Sequence, residues 1–199
     1  LNKQLSVERP NWARLFVERS IPRSLSALEE LAKNLWWCWN QDAIDLFCYI
    51  DKSTFTRLGN NPIALLDNIS YKKYQDLEKD KAFVDMLNRV YDRYKAYMDE
   101  KKSITGPQVA YFSMEYGLHA SLRIYSGGLG ILAGDYLKEA SDKGSKITAI
   151  GLLYRYGYFT QRFSAAGDQV ADYEAQDFTK IPVQSVRDKE GRWLTVSIV

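Results

Sequence analysis

Histidine and cysteine are scarce in this chain of 199 residues: His119 is the only imidazole, and Cys38 and Cys48 are the only thiols. One histidine makes a His-based zinc site or a local Ser-His-Asp triad a poor expectation. The two cysteines lie in apolar stretches without metal-like or redox-like spacing. They read as small buried hydrophobes in a reducing, cytoplasmic setting. An excess of one charge is also missing. Lys and Arg number 27 against 25 Asp and Glu, a net +2. No strong field therefore draws in nucleic acid or an anionic membrane. No window approaches the ~18 apolar residues of a membrane span. Leu1-Asn2-Lys3-Gln4 lacks the basic-then-apolar opening of a signal peptide, and no initiator Met is present.

What remains is an ordinary globular composition, 46% hydrophobic and 26% charged. Arg192 to Val199 reads as a strand after a Gly191 turn, and a chain stopping inside a strand is expected to be a piece of something longer.

The pattern divides near Gly106-Pro107, giving a helical region over 1–105 and a second unit beginning at 106–199. In the first, Ser26-Ala27-Leu28-Glu29 reads as a capping box before Leu28, Leu31, Ala32 and Leu35. Asn40 is expected to cap a second helix carrying Ala43, Ile44, Phe47 and Cys48. Asn61-Pro62 reads as an N-cap followed by Pro at the first helical position. A short helix is expected around Tyr71 to Lys79. Asp80 then caps a helix whose stripe is Val84, Leu87, Tyr91, Tyr94 and Met98.

After Pro107, the apolar run Val109 to Met114 reads as a strand buried on both faces. Ser126-Gly127-Gly128-Leu129-Gly130 leads into a helix with Leu132, Ala133, Tyr136, Leu137 and Ala140, which Lys143-Gly144 closes. Ile147 to Leu153 is a second apolar strand. Strand, glycine loop, helix and strand make a βαβ-like unit with parallel pairing. From Tyr154 the text is β, with turns at Ala166-Gly167-Asp168 and Lys189-Glu190-Gly191.

Chemistry concentrates around the glycines. Gly127, Gly128 and Gly130 remove side chains where a loop enters a helix, and unpaired amides there can meet a phosphate or a sugar hydroxyl. The spacing is neither Gly-x-Gly-x-x-Gly nor a P-loop, so a tight turn for strand–helix packing stands beside ligand binding. Glu115 and Tyr116 end the first strand, where ligands of open α/β sheets bind. Glu115 can touch a substrate, orient the glycine loop or brace it. His119 reads as a structural loop residue, with catalysis as the lesser alternative. Arg123 can meet an anion or a neighbouring acid. Trp36, Trp37 and Trp39 can stack on sugar faces, although burial against a neighbouring helix is the plainer reading. Tyr154, Tyr156 and Tyr158 alternate as one aromatic face, expected in the core.

Three blocks taken together resemble the α-glucan (glycogen, starch, maltodextrin) phosphorylases. They are Tyr111-Phe112-Ser113-Met114-Glu115-Tyr116, then Ser126 to Asp135, then Gly151 to Gln161. Leu28 to Asn40 looks like the helical N-terminal region of the bacterial branch. The resemblance runs from about Arg19 to Phe178. It implies an α/β fold: a helical region, then the start of a Rossmann-like domain of GT-B type with an appended antiparallel β segment. It implies a retaining glycosyltransferase that uses inorganic phosphate to release glucose 1-phosphate from an α-1,4-glucan, with pyridoxal phosphate as cofactor and a homodimer as the assembly. Carried over, Gly127, Gly128, Leu129 and Gly130 match the family's phosphate- and glucosyl-binding loop, and Glu115 matches an orienting glutamate at the cleft. The cofactor's lysine and the basic phosphate-binding residues belong to a later domain, so this stretch is expected to be inactive alone. Two departures stand out. Gly117 replaces an aromatic residue, and Gly167-Asp168-Gln169 replaces Gly-Trp-Gln. Two other functions remain open: a sugar-nucleotide-dependent glucan synthase of the same fold, and a non-catalytic carbohydrate-binding or regulatory module with the tryptophans as its platform.

Overall fold

The computed structural model describes residues 21–100, 107–195 and 197. The opening tetrapeptide, the Gly106 side of the expected division and most of the stretch after Thr195 lie outside them. Helix α1 (Ala27–Lys33) does not start from a capping box. A 3-10 turn, Arg23–Leu25, runs directly into it. Ser26 is already helical (φ −58°, ψ −27°), and its amide donates to the Arg23 carbonyl at 3.3 Å. An N-cap needs extended backbone, so the Ser26 hydroxyl makes no capping bond. Glu29 accepts from Lys33 at 2.8 Å.

Leu35–Trp39 is a second 3-10 turn, capped by the Asn34 carboxamide oxygen, which accepts from the Trp36 amide. Asn40 stands at the N-cap of α2 (Gln41–Arg57), but its side chain donates back to the Trp36 carbonyl at 2.7 Å instead of capping forward. Helix α2 breaks at Asp51 (φ −164°, ψ 95°), a feature not anticipated from the sequence. Asp51 behaves as an internal N-cap, accepting from the Thr54 amide at 2.9 Å and the Ser53 hydroxyl at 3.0 Å. The Thr54 amide, then the Thr54 and Ser53 hydroxyls, hold its carboxyl down to about 2.

The caps expected at Asn61 and Asp80 form, and Ser70 adds one that the sequence reading did not name. Asn61 accepts from the Ala64 amide, with Pro62 opening α3 (Pro62–Asn68). Ser70 caps α4 (Tyr71–Lys79). Asp80 caps α5 (Lys81–Asp99), accepting from the amides of Ala82 and Phe83. The buried stripe of α5 is Phe83, Leu87, Val90 and Tyr94. Val84 and Tyr91 are only half-buried and Met98 is 51% exposed, so the helix is rotated slightly from the expected face.

These helices enclose a single cluster that includes Leu25, Leu28, Trp37, Phe47, Phe55, Leu65 and Leu87. Each such side chain, taken out of water, contributes about 1.5–3 kcal/mol. Trp36 and Trp37 are buried within it and Trp39 is half-buried. Trp36 and Trp37 are therefore packing elements, which counts against a sugar platform built on the three tryptophans. Cys38 and Cys48 are free and half-buried, less enclosed than expected.

The second region opens with β1 (Val109–Phe112), followed by α6 (Gly128–Asp142) and β2 (Ile147–Ile150). The strands pair in parallel, from Val109 opposite Ile147 to Phe112 opposite Ile150. Gly144, at φ +61°, follows the end of α6, where a left-handed residue suits glycine. Strand β2 is shorter than the expected run to Leu153. Nor is β1 doubly buried: Val109, Phe112 and Ile150 are 42%, 70% and 41% exposed. An all-apolar strand reports the cover it is suited to, and the described residues supply one neighbouring strand and one helix.

Among the described residues beyond Ile150, only Thr160–Phe163 (β3) and Gln169–Asp172 (β4) form a regular antiparallel pair, turning at Gly167 (φ +89°). Tyr156 makes a single bridge to Ala175, and Trp193 a single bridge to Arg187 across the Gly191 turn. The long strands expected at 154–163 and after Arg192 are thus reduced, within the described residues, to these short pairings.

Specific contacts join the two regions. The Tyr97 hydroxyl meets Ser141 Oγ at 2.6 Å and Asp142 Oδ1 at 2.8 Å, and Trp39 Nε1 donates to Asp142 at 3.3 Å. Asn61 Nδ2 donates to the Lys180 carbonyl at 2.7 Å.

Candidate functional site

The site is built where β1 ends and α6 begins. Ser113 Oγ accepts from the Glu115 amide at 3.3 Å and donates to the Glu115 carbonyl at 2.8 Å, so the chain turns over the strand end. Tyr116 is buried beneath, its hydroxyl donating to the carbonyls of Tyr111 at 2.5 Å and Ile150 at 3.3 Å. It locks the ends of β1 and β2 together. Gly151 makes room for it, since a Cβ there would lie 2.8 Å from the Tyr116 ring.

The turn points the Glu115 carboxylate at the glycine loop. Oε1 accepts from the Ser126 hydroxyl at 2.6 Å, and Oε2 from the amides of Ser126 at 3.1 Å and Gly127 at 3.3 Å. The Ser126 hydroxyl first, then the Ser126, Gly127 and Gly130 amides, hold the carboxyl below the usual glutamate range. A charged carboxylate at a helix start is favourable against the macrodipole.

The glycines divide into two kinds. Gly130 and Gly134 are packing glycines. A Cβ at Gly130 would lie 2.5 Å from Tyr125 Cβ and 2.9 Å from Glu115 Oε2. One at Gly134 would overlap the Gly117 carbonyl. Gly117 itself donates to the Gly130 carbonyl at 2.7 Å. An aromatic side chain at 117 would press on Gly130 from 3.0 Å, so the departure at Gly117 is matched by a tighter loop–helix contact.

Gly127 and Gly128 are different. A Cβ at either meets nothing within 4 Å, and Gly127 is plainly extended at φ −158°. Neither backbone strain nor internal packing requires glycine there. Leu129, 60% exposed, stands outward beside them. The Gly128 and Leu129 amides have no acceptor among the described residues. They form an open donor edge at the start of a 15-residue helix.

His119 follows the Glu115 turn and packs toward the helical region. Its Nδ1 accepts from the Ser121 amide at 3.1 Å, and its ring meets Trp37 edge-on at 4.6 Å between centroids. Burial, with Lys138 second, pushes its pKa below the usual imidazole value. The ring is a neutral wedge between the regions with no carboxylate partner among the described residues. Nearby, the Cys38 Sγ contacts the Leu118 carbonyl at 3.5 Å, and burial raises that thiol's pKa.

A cavity of about 260 Å³ adjoins Glu115 and Ser126, lined also by Arg123, Tyr125, Tyr154, Tyr156 and Tyr158. Arg123 faces Glu174 at 3.5 Å. Tyr156 and Tyr158 are 55% and 63% exposed, so the aromatic run is not core. Gln176, which sequence reasoning passed over, shapes this wall. Its Oε1 accepts from the Arg123 amide at 3.0 Å, and its Nε2 donates to the Tyr154 carbonyl at 2.5 Å. A lone glutamine in a polar stretch carries no local signal of such a role. Among the described residues no group of three or more His, Cys, Asp or Glu is placed to hold a metal, and no helix is long and apolar enough to cross a membrane.

Comparison with known proteins converges on the same stretch. A family model described as a protein of unknown function (DUF3417) matches residues 21–122. A maltodextrin phosphorylase of Thermococcus litoralis is 36% identical over 189 residues, 92% of this chain and 23% of the relative. A glycogen phosphorylase of Aquifex aeolicus is 43% identical over 171 residues, 84% of this chain and 24% of the relative. One from Mycobacterium tuberculosis is 36% identical over 197 residues, 93% of this chain and 23% of the relative. The chain thus spans about a quarter of the length of these relatives. No solved structure matches it significantly. The shared stretch includes the helical region and the turn at Glu115, and on that match the chain belongs to the DUF3417 family, in the form found in the N-terminal portion of glycogen and maltodextrin phosphorylases.

Proposed function

We propose that this chain forms one wall of the active cleft of an α-glucan phosphorylase, a retaining glycosyltransferase. In this reading, residues 1–105 are a helical unit and residues 106–199 begin a Rossmann-like domain of GT-B type. The observation that carries it is the open edge at Gly127-Gly128-Leu129, held by Glu115 at the end of a parallel strand. It is supported by the identity to named phosphorylases across that segment.

The reaction joins a phosphate oxygen to C1 of the terminal glucose as the C1–O4 bond to the chain breaks. The departing O4 takes a proton, and glucose 1-phosphate leaves with retained configuration. The amides of Gly128 and Leu129 donate to oxygens of the glucosyl unit or of a phosphate as charge redistributes, without reorganising at the moment of reaction. Glu115 orients this edge and is not the proton donor. Its oxygens are already committed to Ser126 and Gly127.

Pyridoxal phosphate is the cofactor this reading implies. An amide edge with no Cβ at 127 or 128 fits an approaching phosphate group. Its covalent anchor is assigned to no residue of this chain, so the chain alone is inactive. When bound, the cofactor's phosphate supplies a proton-exchanging partner for inorganic phosphate.

The test is release of glucose 1-phosphate from glycogen and phosphate by the full-length polypeptide. Release only on addition of a sugar nucleotide would make it a glucan synthase instead. Gly128→Val gives the sharper measurement. A Cβ there meets nothing in the chain within 4 Å, so melting should change little, while kcat/KM should fall by about a hundredfold or more. Near-normal turnover would make the loop merely structural.

A further inference from the structure

We propose that His119 is a positioning residue: seated on Trp37, it fixes the loop whose two ends are Glu115 and Ser126, and through that pair it aims the open glycine amides. The proposal rests on the phosphorylase reading only for what those amides act on. Between Glu115 and Ser126 the chain makes a closed excursion. At its base the Tyr116 amide donates to the Ile124 carbonyl at 3.3 Å, and nearer the tip the Leu122 amide donates to the His119 carbonyl at 3.0 Å. The two ends are tied by the Ser126 hydroxyl, which donates to Glu115 Oε1 at 2.6 Å. Tyr116 and Leu122 are buried, so the excursion is a packed unit.

The tip of this unit rests on the helical region. The His119 ring meets the Trp37 ring edge-on at 4.6 Å between centroids, and Trp37 belongs to the core cluster. One residue earlier, the Leu118 carbonyl accepts from Cys38 Sγ at 3.5 Å. The helical core therefore touches the excursion at its tip, and the excursion delivers that contact to Glu115 and Ser126 at its base.

The seat suits a neutral ring. Nδ1 accepts from the Ser121 amide at 3.1 Å, with the Ser121 hydroxyl 2.9 Å away. A proton on Nδ1 would face that amide and end its bond; the hydroxyl can turn to accept, the amide cannot. The Trp37 indole N–H is buried with no acceptor among the described residues, so a cationic ring brings another donor to one already unpaired. The charged and titratable groups described around the ring give no relief. Lys138 of α6 carries the same charge, and burial pushes the Cys38 thiol toward its neutral form. Burial first, then Lys138, holds the imidazole pKa below its ordinary value. The seat is therefore complete above the ordinary ~6.5 and weakens as pH falls from there through the lowered value.

The experiment is hydrogen exchange of the full-length polypeptide, read by mass spectrometry over residues 113–127 at about pH 7.5 and about pH 5.5, with each rate divided by its intrinsic value. Glu115 stays ionised at both, since its own pKa lies below the usual glutamate range. In the parent, protection of the segment should fall about tenfold at the lower pH. His119→Asn keeps an acceptor for the Ser121 amide but cannot titrate, so its protection should hold at both pH values. His119→Ala should lack protection at both, and should lower kcat for glucose 1-phosphate release about tenfold with the glucan KM within about twofold. Equal acid loss of protection in the parent and His119→Asn overturns the proposal, and so does an unchanged kcat in His119→Ala. If the alanine variant does not fold, the comparison of parent with His119→Asn decides alone. Glucose 1-phosphate release with His119-independent protection removes the positioning role and keeps the phosphorylase. His119-dependent protection without release keeps the link from His119 to the loop and removes the phosphorylase.

Discussion

The helical region and the strand-containing region use apolar residues in opposite ways. Between Leu25 and Tyr94 the large hydrophobics close on one another, and the core cluster lies entirely in that span. Among the described residues, only Tyr49, Tyr71 and Met98 of the helical region are large, apolar and exposed. After Pro107 the balance reverses. Phe112, Met114, Leu132, Leu152 and Phe163 are all more than half exposed. The first region satisfies its own hydrophobic demand. The second commits its tight contacts to glycines and polar ties around one loop. Apolar content therefore measures how much burial a segment can use, while the local partners decide how much it receives.

Core truncation should separate the regions most strongly. Phe47→Ala is expected to cost about 3–5 kcal/mol by urea denaturation, because Phe47 is fully buried between Trp37 and Phe55. Phe112→Ala removes the same ring from a 70% exposed site and should stay within about 0.5 kcal/mol. Equal costs would dissolve the contrast.

Next in size is a glycine pair. Gly134→Ala drives a methyl into the Gly117 carbonyl and should cost about 1–3 kcal/mol. Gly128→Ala meets open space and should leave melting unchanged or raise it slightly, since alanine is the better helix former. Similar losses in both variants would mean that the loop is not divided into packing and open positions.

Asn61→Ala is expected to cost about 1–2 kcal/mol, because it removes the cap of α3 and the bond to the Lys180 carbonyl together. Hydrogen exchange should rise on both sides of that bond; a rise confined to α3 would mean that Asn61 does not couple the regions.

The smallest expected effect is a titration. Glu115 has a folded-state pKa below its ordinary value, so its bonds to Ser126 and Gly127 are complete above the ordinary value. They are lost only as pH falls through the depressed one. Amide resonances of Ser126 and Gly127 should shift together with a midpoint below the usual ~4.3. A midpoint at or above that value would mean the carboxylate does not hold the loop.

Much of the helical architecture was legible because caps and periodicity are local. Asn61 and Asp80 need only the next three residues to do their work. Ser26 and Asn40 were misread because the chain enters α1 from a 3-10 turn and leaves Trp36 with a carbonyl for Asn40 to satisfy, facts of backbone direction that residue identity does not carry. The strand–glycine loop–helix–strand order was equally readable. The openness of β1 and the exposure of Tyr156 and Tyr158 were not, since alternation says that residues share a face without saying what covers it. Gln176 was invisible for the same reason: its partners lie 53 residues away at Arg123 and 22 away at Tyr154.

The knot at Asp142 gives the helical region mechanical leverage over the loop. Tyr97 and Trp39 grip the last residue of α6, and the open glycine amides sit at its first. A helix of 15 residues is a stiff rod roughly 22 Å long. Pivoting such a rod by 5° about its gripped end swings the other end by about 2 Å, more than the tolerance of a hydrogen bond. A hydroxyl and an indole at the other end of α6 thus act as pivot pins for the end that carries the open amides.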